Sequence, residues 1–253
     1  MSGIWEAGFW GAVGGSALVI GAAIGWFAAL PQRLIAAVMA VGSGVLISAV
    51  AFDLMDEAYR QGGLAATGAG FVGGAVVYTV ANILVSRRGA KHRKRSGSDP
   101  DARQPDAAGG GGLAIAVGAL LDGIPESVVI GLSLLSGGAV SAVTVAAVFL
   151  SNVPEGLSSA AGMKAAGRSA GYVFGVWIGI AAISGIAAMV GYAALAGASP
   201  ALVAGVTAVA AGAILAMLVD TMIPEAAASS HDYSGLIAVA GFLAAFALSK
   251  MGG

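Results

Sequence analysis

The chain has 253 residues, 58% hydrophobic and 10% charged, with a net charge of −1 and a mean hydropathy of +0.91. That balance excludes an ordinary soluble domain, and the absence of cysteine excludes thiolate metal ligands. The near-neutral total masks a split distribution, with a basic central segment and acids inside apolar runs, so it says little about partners.

Crossing a bilayer takes about 20 helical residues, and apolar runs of that order fall at 7–30, 34–56, 64–85, 113–136, 139–163, 170–196, 200–227 and 234–249. The expected fold is therefore all-α, a polytopic membrane protein of eight transmembrane helices in one membrane domain. The first ten residues hold Glu6 and no basic stretch, so the first helix reads as a retained span and not a cleaved signal peptide. Residues 1–85 supply helices one to three and residues 113–253 supply helices four to eight.

Between them, residues 86–112 are polar and rich in Arg, Lys, Gly, Pro and Asp, the composition of a disordered linker. With the N-terminus outside, Arg33, Arg87, Arg88, Lys91, Arg93, Lys94, Arg95, Arg103, Lys164 and Arg168 fall on inner loops, leaving Arg60 and Lys250 outside. This positive-inside bias predicts a multi-pass protein of the cell (inner) membrane with both termini away from the cytoplasm and the 86–112 loop within it. The basic cluster reads first as a topology signal and second as an attraction for anionic lipid. His92 in this loop is expected to be solvated. Glycine spacings such as Gly11/Gly15, Gly70/Gly74 and Gly171/Gly175/Gly179 favour close helix packing and would permit a homodimer. No nucleic-acid partner is expected; the lipid bilayer is.

Charge inside the spans is more telling. Asp53, Asp56, Glu57, Asp122, Glu126, Glu155, Asp220 and Glu225 lie within or at the ends of the apolar runs, and no Lys or Arg lies in a run's interior to pair with them. An ionised group near the bilayer centre costs roughly 2.5 to 3.5 kcal/mol, so a proton, water or a bound cation must compensate. Proline and glutamate are adjacent three times, at Pro125-Glu126, Pro154-Glu155 and Pro224-Glu225. Each proline frees the carbonyl four residues earlier, those of Leu121, Leu150 and Asp220, and such breaks at membrane depth belong where backbone lines a cavity.

Depth sorts the acids into layers. Asp122 and Glu126 lie midway along helix four, Asn152 and Glu155 midway along helix five, and the four are expected to meet near the midplane around a divalent cation. Asp53 and Glu57 end helix two outside; Asp220 and Glu225 end helix seven inside. The strings Asp53-Leu54-Met55-Asp56-Glu57-Ala58 and Asp220-Thr221-Met222-Ile223-Pro224-Glu225-Ala226 resemble each other on oppositely directed helices, which points to an inverted repeat. His231, at the inner end of helix seven, reads either as an exit ligand or, more simply, as a solvated side chain.

These features resemble the ZIP (Zrt-, Irt-like) metal transporters over nearly the whole chain. Asp122-Gly123-Ile124-Pro125-Glu126-Ser127 stands where that family's helix four reads His-Asn-x-Pro-Glu-Gly, and Ser151-Asn152-Val153-Pro154-Glu155-Gly156 stands at its helix-five motif, with Ser151 where an imidazole or amide is common. Asp122 replaces the usual histidine, Gly123 the asparagine, and helix six has no carboxylate. The resemblance implies a 3+2+3 arrangement of helices and uptake of a divalent metal of the zinc, manganese or iron class, carried as substrate with no bound cofactor and no enzymatic activity. An all-oxygen site favours harder ions such as Mn²⁺. Two other classes stand against it: a non-transporting metal sensor or structural relative, and an intramembrane hydrolase, which would want cationic phosphate clamps within the spans.

Overall fold

The computed structural model describes residues 3–97, 103–109, 111–137, 140–229 and 232–251. Among them there is no strand, and the chain runs through nine α-helices: α1 (Gly3–Phe27), α2 (Gln32–Ala49), α3 (Met55–Val85), α4 (Gly112–Gly137), α5 (Ala142–Ala165), α6 (Ala170–Leu195), α7 (Pro200–Met217), α8 (Ile223–Ser229) and α9 (Ser234–Met251). Local chemistry fixes several of the starts. The hydroxyls of Ser141, Ser169 and Ser199 accept from the backbone N–H groups of Thr144, Tyr172 and Leu202 and cap α5, α6 and α7, and Pro200 supplies a preset φ at the first turn of α7.

Among the described residues, six segments are long and apolar enough to cross a membrane. One of them, Gln32–Ala90, has 59 residues, roughly 90 Å if straight and so about three times the hydrocarbon thickness. It does not stay straight, because Gly63 adopts φ +69° within it, a left-handed conformation that breaks the helix. The sequence reading ends helix two at residue 56, whereas helical structure continues past that point to the break at Gly63. α5 is not among the six; Asn152, Glu155 and several serines dilute its hydropathy. The exterior carries exposed Trp5, Phe27, Leu64, Val77, Ile186 and Leu236. An apolar outer surface over long apolar helices is compatible with a membrane-embedded protein.

The helices pack as α1 against α5 and α6, α3 along α7, α2 along α9, and α4 against α6. One apolar core, with Met39, Leu46, Val50, Ile214, Met217 and Leu218, joins α2 to α7; another, with Leu18, Ile115, Met163, Trp177 and Ile180, joins α1, α4, α5 and α6. Glycine sets the closest approaches. A Cβ at Gly44 would overlap the Ala238 carbonyl and one at Gly241 the Val41 carbonyl, fixing the α2–α9 contact. The α3–α7 contact is built the same way, Gly212 against the Phe71 carbonyl and Gly74 against that of Val209. Among the described residues π-helical turns follow α2 at Val50–Leu54, α3 at Ser86–Ala90 and α7 at Leu218–Met222.

The largest departure from the sequence reading is the 86–112 loop. Residues 86–97 are not a solvated linker: Ser86–Ala90 forms a π-helical turn, and Ala90, Arg93, Lys94 and Ser96 are buried. The physical reason is electrostatic. Compositional reasoning treats a basic run as water-loving, but three buried acids of the helices offer Arg93, Lys94 and Arg95 partners that water would otherwise replace.

Candidate functional site

Asp122 lies on α4 and is buried. Arg93 grips it bidentately, Nε donating to Oδ2 at 2.8 Å and Nη2 to Oδ1 at 2.7 Å, while the Tyr78 hydroxyl donates to Oδ1 at 2.6 Å. Such a fork-to-carboxylate pair is the strong form of an ion pair. Lys94 bridges α4 and α5: its Nζ is 3.2 Å from Asp122 Oδ2 and 3.0 Å from Glu155 Oε1, and it also donates to Met217 Sδ at 3.0 Å.

Glu225 takes the third cation. Arg95 Nη1 is 3.5 Å from its Oε2 and donates to the Pro224 carbonyl at 2.8 Å. The Glu225 Oε1 atom accepts from the Ser96 backbone N–H at 3.0 Å, from the Ser96 hydroxyl, from Ser158 Oγ at 3.2 Å and from Gln32 Nε2 at 3.2 Å. Three consecutive cations of one segment thus meet three carboxylates of three helices in order. The segment's backbone is held as well: Ser158 and Ser159 donate to the carbonyls of Lys94 and Arg93 at 2.7 Å each. Gln104 Nε2 donates to the carbonyls of Arg93, Arg95 and Ser159 at 2.9 to 3.1 Å. Gly162 makes room, since a Cβ there would overlap the Arg95 carbonyl.

Among the described residues three side chains here have acceptors that go without, Gln104 at its Oε1 and two of the acid-rich set. Both carboxylate oxygens of Glu126 and Oδ1 of Asn152 are buried with no hydrogen-bond partner among the described residues, although Asn152 Nδ2 donates to the Gly14 carbonyl at 3.0 Å. Buried polar atoms are rarely left so, because each costs roughly 1 to 3 kcal/mol, more when charged.

The structure therefore brings together Asp122, Glu155 and Glu225 through the 93–96 segment, with Glu126 buried one turn beyond Asp122. Among the described residues no three His, Cys, Asp or Glu side chains converge closely enough to hold a metal ion. The other acids are used singly. Asp53 accepts from Ser249 Oγ at 2.6 Å, Glu57 from Gln61, Asp56 pairs with Arg60 at 2.7 Å, and Asp220 accepts from Asn82 Nδ2 at 3.1 Å. Asp53 and Asp220 occupy the π-helical turns that follow α2 and α7. Comparison with protein-family models and with curated proteins gave no match.

Arg93, Lys94 and Arg95 are the residues sequence reasoning missed in this role. A search for counter-cations inside the apolar runs finds none, and the signal was their number: three adjacent cations beside a set of deep acids otherwise without partners. His92, next to them, lines a cavity with Lys91, Lys94, Arg95, Asp220 and Thr221. Burial, then the positive charges of Lys91 and Arg95, hold its imidazole below the usual histidine range, so it adds no further charge to the cluster at neutral pH. His231 lies outside the described residues.

Proposed function

We propose that the chain is a ZIP-like transporter moving a divalent cation of the zinc, manganese or iron class by alternating access, with Asp122, Glu126, Asn152 and Glu155 as its central ligands. The single observation that carries this reading is the unpartnered carboxylate of Glu126, buried in an apolar bundle in which the amide oxygen of Asn152 is also buried and unpartnered. Acids in such a place are functional more often than structural. The chain is read as eight spans in a 3+2+3 arrangement, with Gln32–Ala90 counted as two because of its length and its break at Gly63, and with α5 added to the six apolar segments. An inverted repeat is supported by the matched glycine contacts. Val41 and Gly44 stand 168 residues before Val209 and Gly212, and their partners Phe71 and Gly74 stand 167 before Ala238 and Gly241. The π-helical turns carrying Asp53 and Asp220 fall at corresponding places. Asp53 and Glu57 then serve one mouth of the path and Asp220 and Glu225 the other, in the cell membrane, with both termini outside the cytoplasm by the distribution of basic residues.

A second reading, a non-transporting metal sensor or structural relative, is favoured by the ion pairs that Asp122 and Glu155 make with Arg93 and Lys94. Uptake by proteoliposomes of Mn²⁺, Zn²⁺, Fe²⁺, Co²⁺, Cd²⁺ and Mg²⁺ separates the two. Transport requires flux of at least one ion in the parent that disappears in Glu126→Ala. Binding without flux of any ion selects the sensor, and neither binding nor flux selects the structural protein.

A further inference from the structure

We propose that Lys94 is a tethered competitor for the cation site, so that loading the site with a divalent cation and releasing residues 90–97 from the bundle are one event. The inference rests on the reading of Asp122, Glu126, Asn152 and Glu155 as cation ligands. The Lys94 ammonium sits where a cation held between α4 and α5 would sit, 3.2 Å from Asp122, 3.0 Å from Glu155 and 3.0 Å from the Met217 sulfur. A divalent ion cannot enter that space beside a monovalent one: the two overlap sterically and repel in a weakly screened interior. One must leave, and Lys94 is carried on a segment between helices, whereas Asp122 and Glu155 stand within α4 and α5.

Lys94 cannot withdraw alone, because its neighbours bind on either side, Arg93 to Asp122 and Arg95 and Ser96 to Glu225. The departing unit is therefore the whole segment. It begins at Gly89, whose φ of +111° marks a point where the helical path already breaks and where rotation meets little steric resistance. What the segment leaves behind also argues for a competitor over a permanent cement. The two proposed ligands that the segment does not reach, Glu126 and Asn152 Oδ1, have no partner among the described residues; in the clamp that holds the segment, Gln104 Oε1 shares that state. The docked segment neutralises two of the central carboxylates, Asp122 and Glu155, and makes no hydrogen bond to Glu126 or to Asn152 Oδ1.

Competition of this kind lowers apparent affinity by the fraction of molecules with the segment undocked. The test uses the full chain in detergent micelles with Mn²⁺ as probe, free ion being read by its electron paramagnetic resonance signal. Because the chain has no cysteine, Ala90→Cys places a single thiol at a fully buried position of the segment. Saturating Mn²⁺ should speed maleimide labelling of that thiol by about tenfold or more. Lys94→Met should bind Mn²⁺ about tenfold more tightly than the parent; since that variant exposes Asp122 and Glu155 to loss of a partner, Gln104→Ala, which loosens the segment without touching a ligand, should tighten binding in the same direction. Parent binding that is lost in Glu126→Gln, with labelling unchanged and equal affinity in Lys94→Met and Gln104→Ala, would overturn the competitor and leave the cation site standing. No Mn²⁺ bound by the parent or by either variant, with Zn²⁺ giving the same result by equilibrium dialysis, would overturn both.

Discussion

Two buried acids one helical turn apart, Asp122 and Glu126, have opposite situations. Asp122 receives hydrogen bonds from Arg93 and Tyr78 and an ion pair from Lys94; Glu126 receives none among the described residues. Breaking a buried ion pair by removing one member costs about 3 to 5 kcal/mol, whereas replacing both members with apolar groups can be neutral. Arg93→Met should therefore lower the thermal unfolding midpoint in detergent by many degrees, and adding Asp122→Leu should restore most of the loss. Glu126→Gln removes no hydrogen bond or close ion pair among the described residues, so its midpoint should stay at or above the parent's while divalent cation binding disappears. A Glu126→Gln chain as unstable as Arg93→Met would mean that Glu126 is a structural acid with a partner in the folded protein.

The 90–97 segment gains its place from groups that a composition-based reading cannot weigh together. Its cations, the carbonyls accepting from Ser158 and Ser159, the clamp by Gln104 and the notch at Gly162 lie far apart in sequence. Taken alone, the stretch is basic and glycine-flanked, which is what an unfolded linker looks like. The deep acids were legible because charge in an apolar run violates the surrounding pattern; the cations were not, because charge in a polar run violates nothing. Trypsin reads the difference directly. Arg103 has an exposed side chain and should be cleaved in the parent, while the bonds after Arg93 and Lys94 should resist. Gly162→Ala puts a methyl group against the Arg95 carbonyl, so mass spectrometry of its digest should show cleavage after Arg93 and Lys94 at rates approaching that at Arg103. Equal resistance in the variant would show that the segment does not depend on that contact.

For the molecule as a whole, the all-helical, apolar character was legible because runs of about 20 apolar residues leave few alternatives. Where helix two ends was not, since the glycine at position 63 differs from dozens of others only by its backbone conformation. The matched contacts of α2 with α9 and of α3 with α7 carry a mechanical consequence if the two halves are one motif used twice. Gly44 and Gly212 each face a carbonyl of the partner helix, with no space for a methyl group, and overpacking a tight contact costs typically 1 to 3 kcal/mol. Gly44→Ala and Gly212→Ala should therefore destabilise by similar amounts within that range. Gly175→Ala, at a helical position with nothing near the added Cβ, should be neutral or stabilising by up to about 1 kcal/mol from helix propensity. Thermal unfolding of the three variants in one detergent supplies the comparison. A large loss for Gly44→Ala beside none for Gly212→Ala would show that the halves, although built on the same contact, do not bear load alike, and that one helix pair could move while the other holds the bundle together.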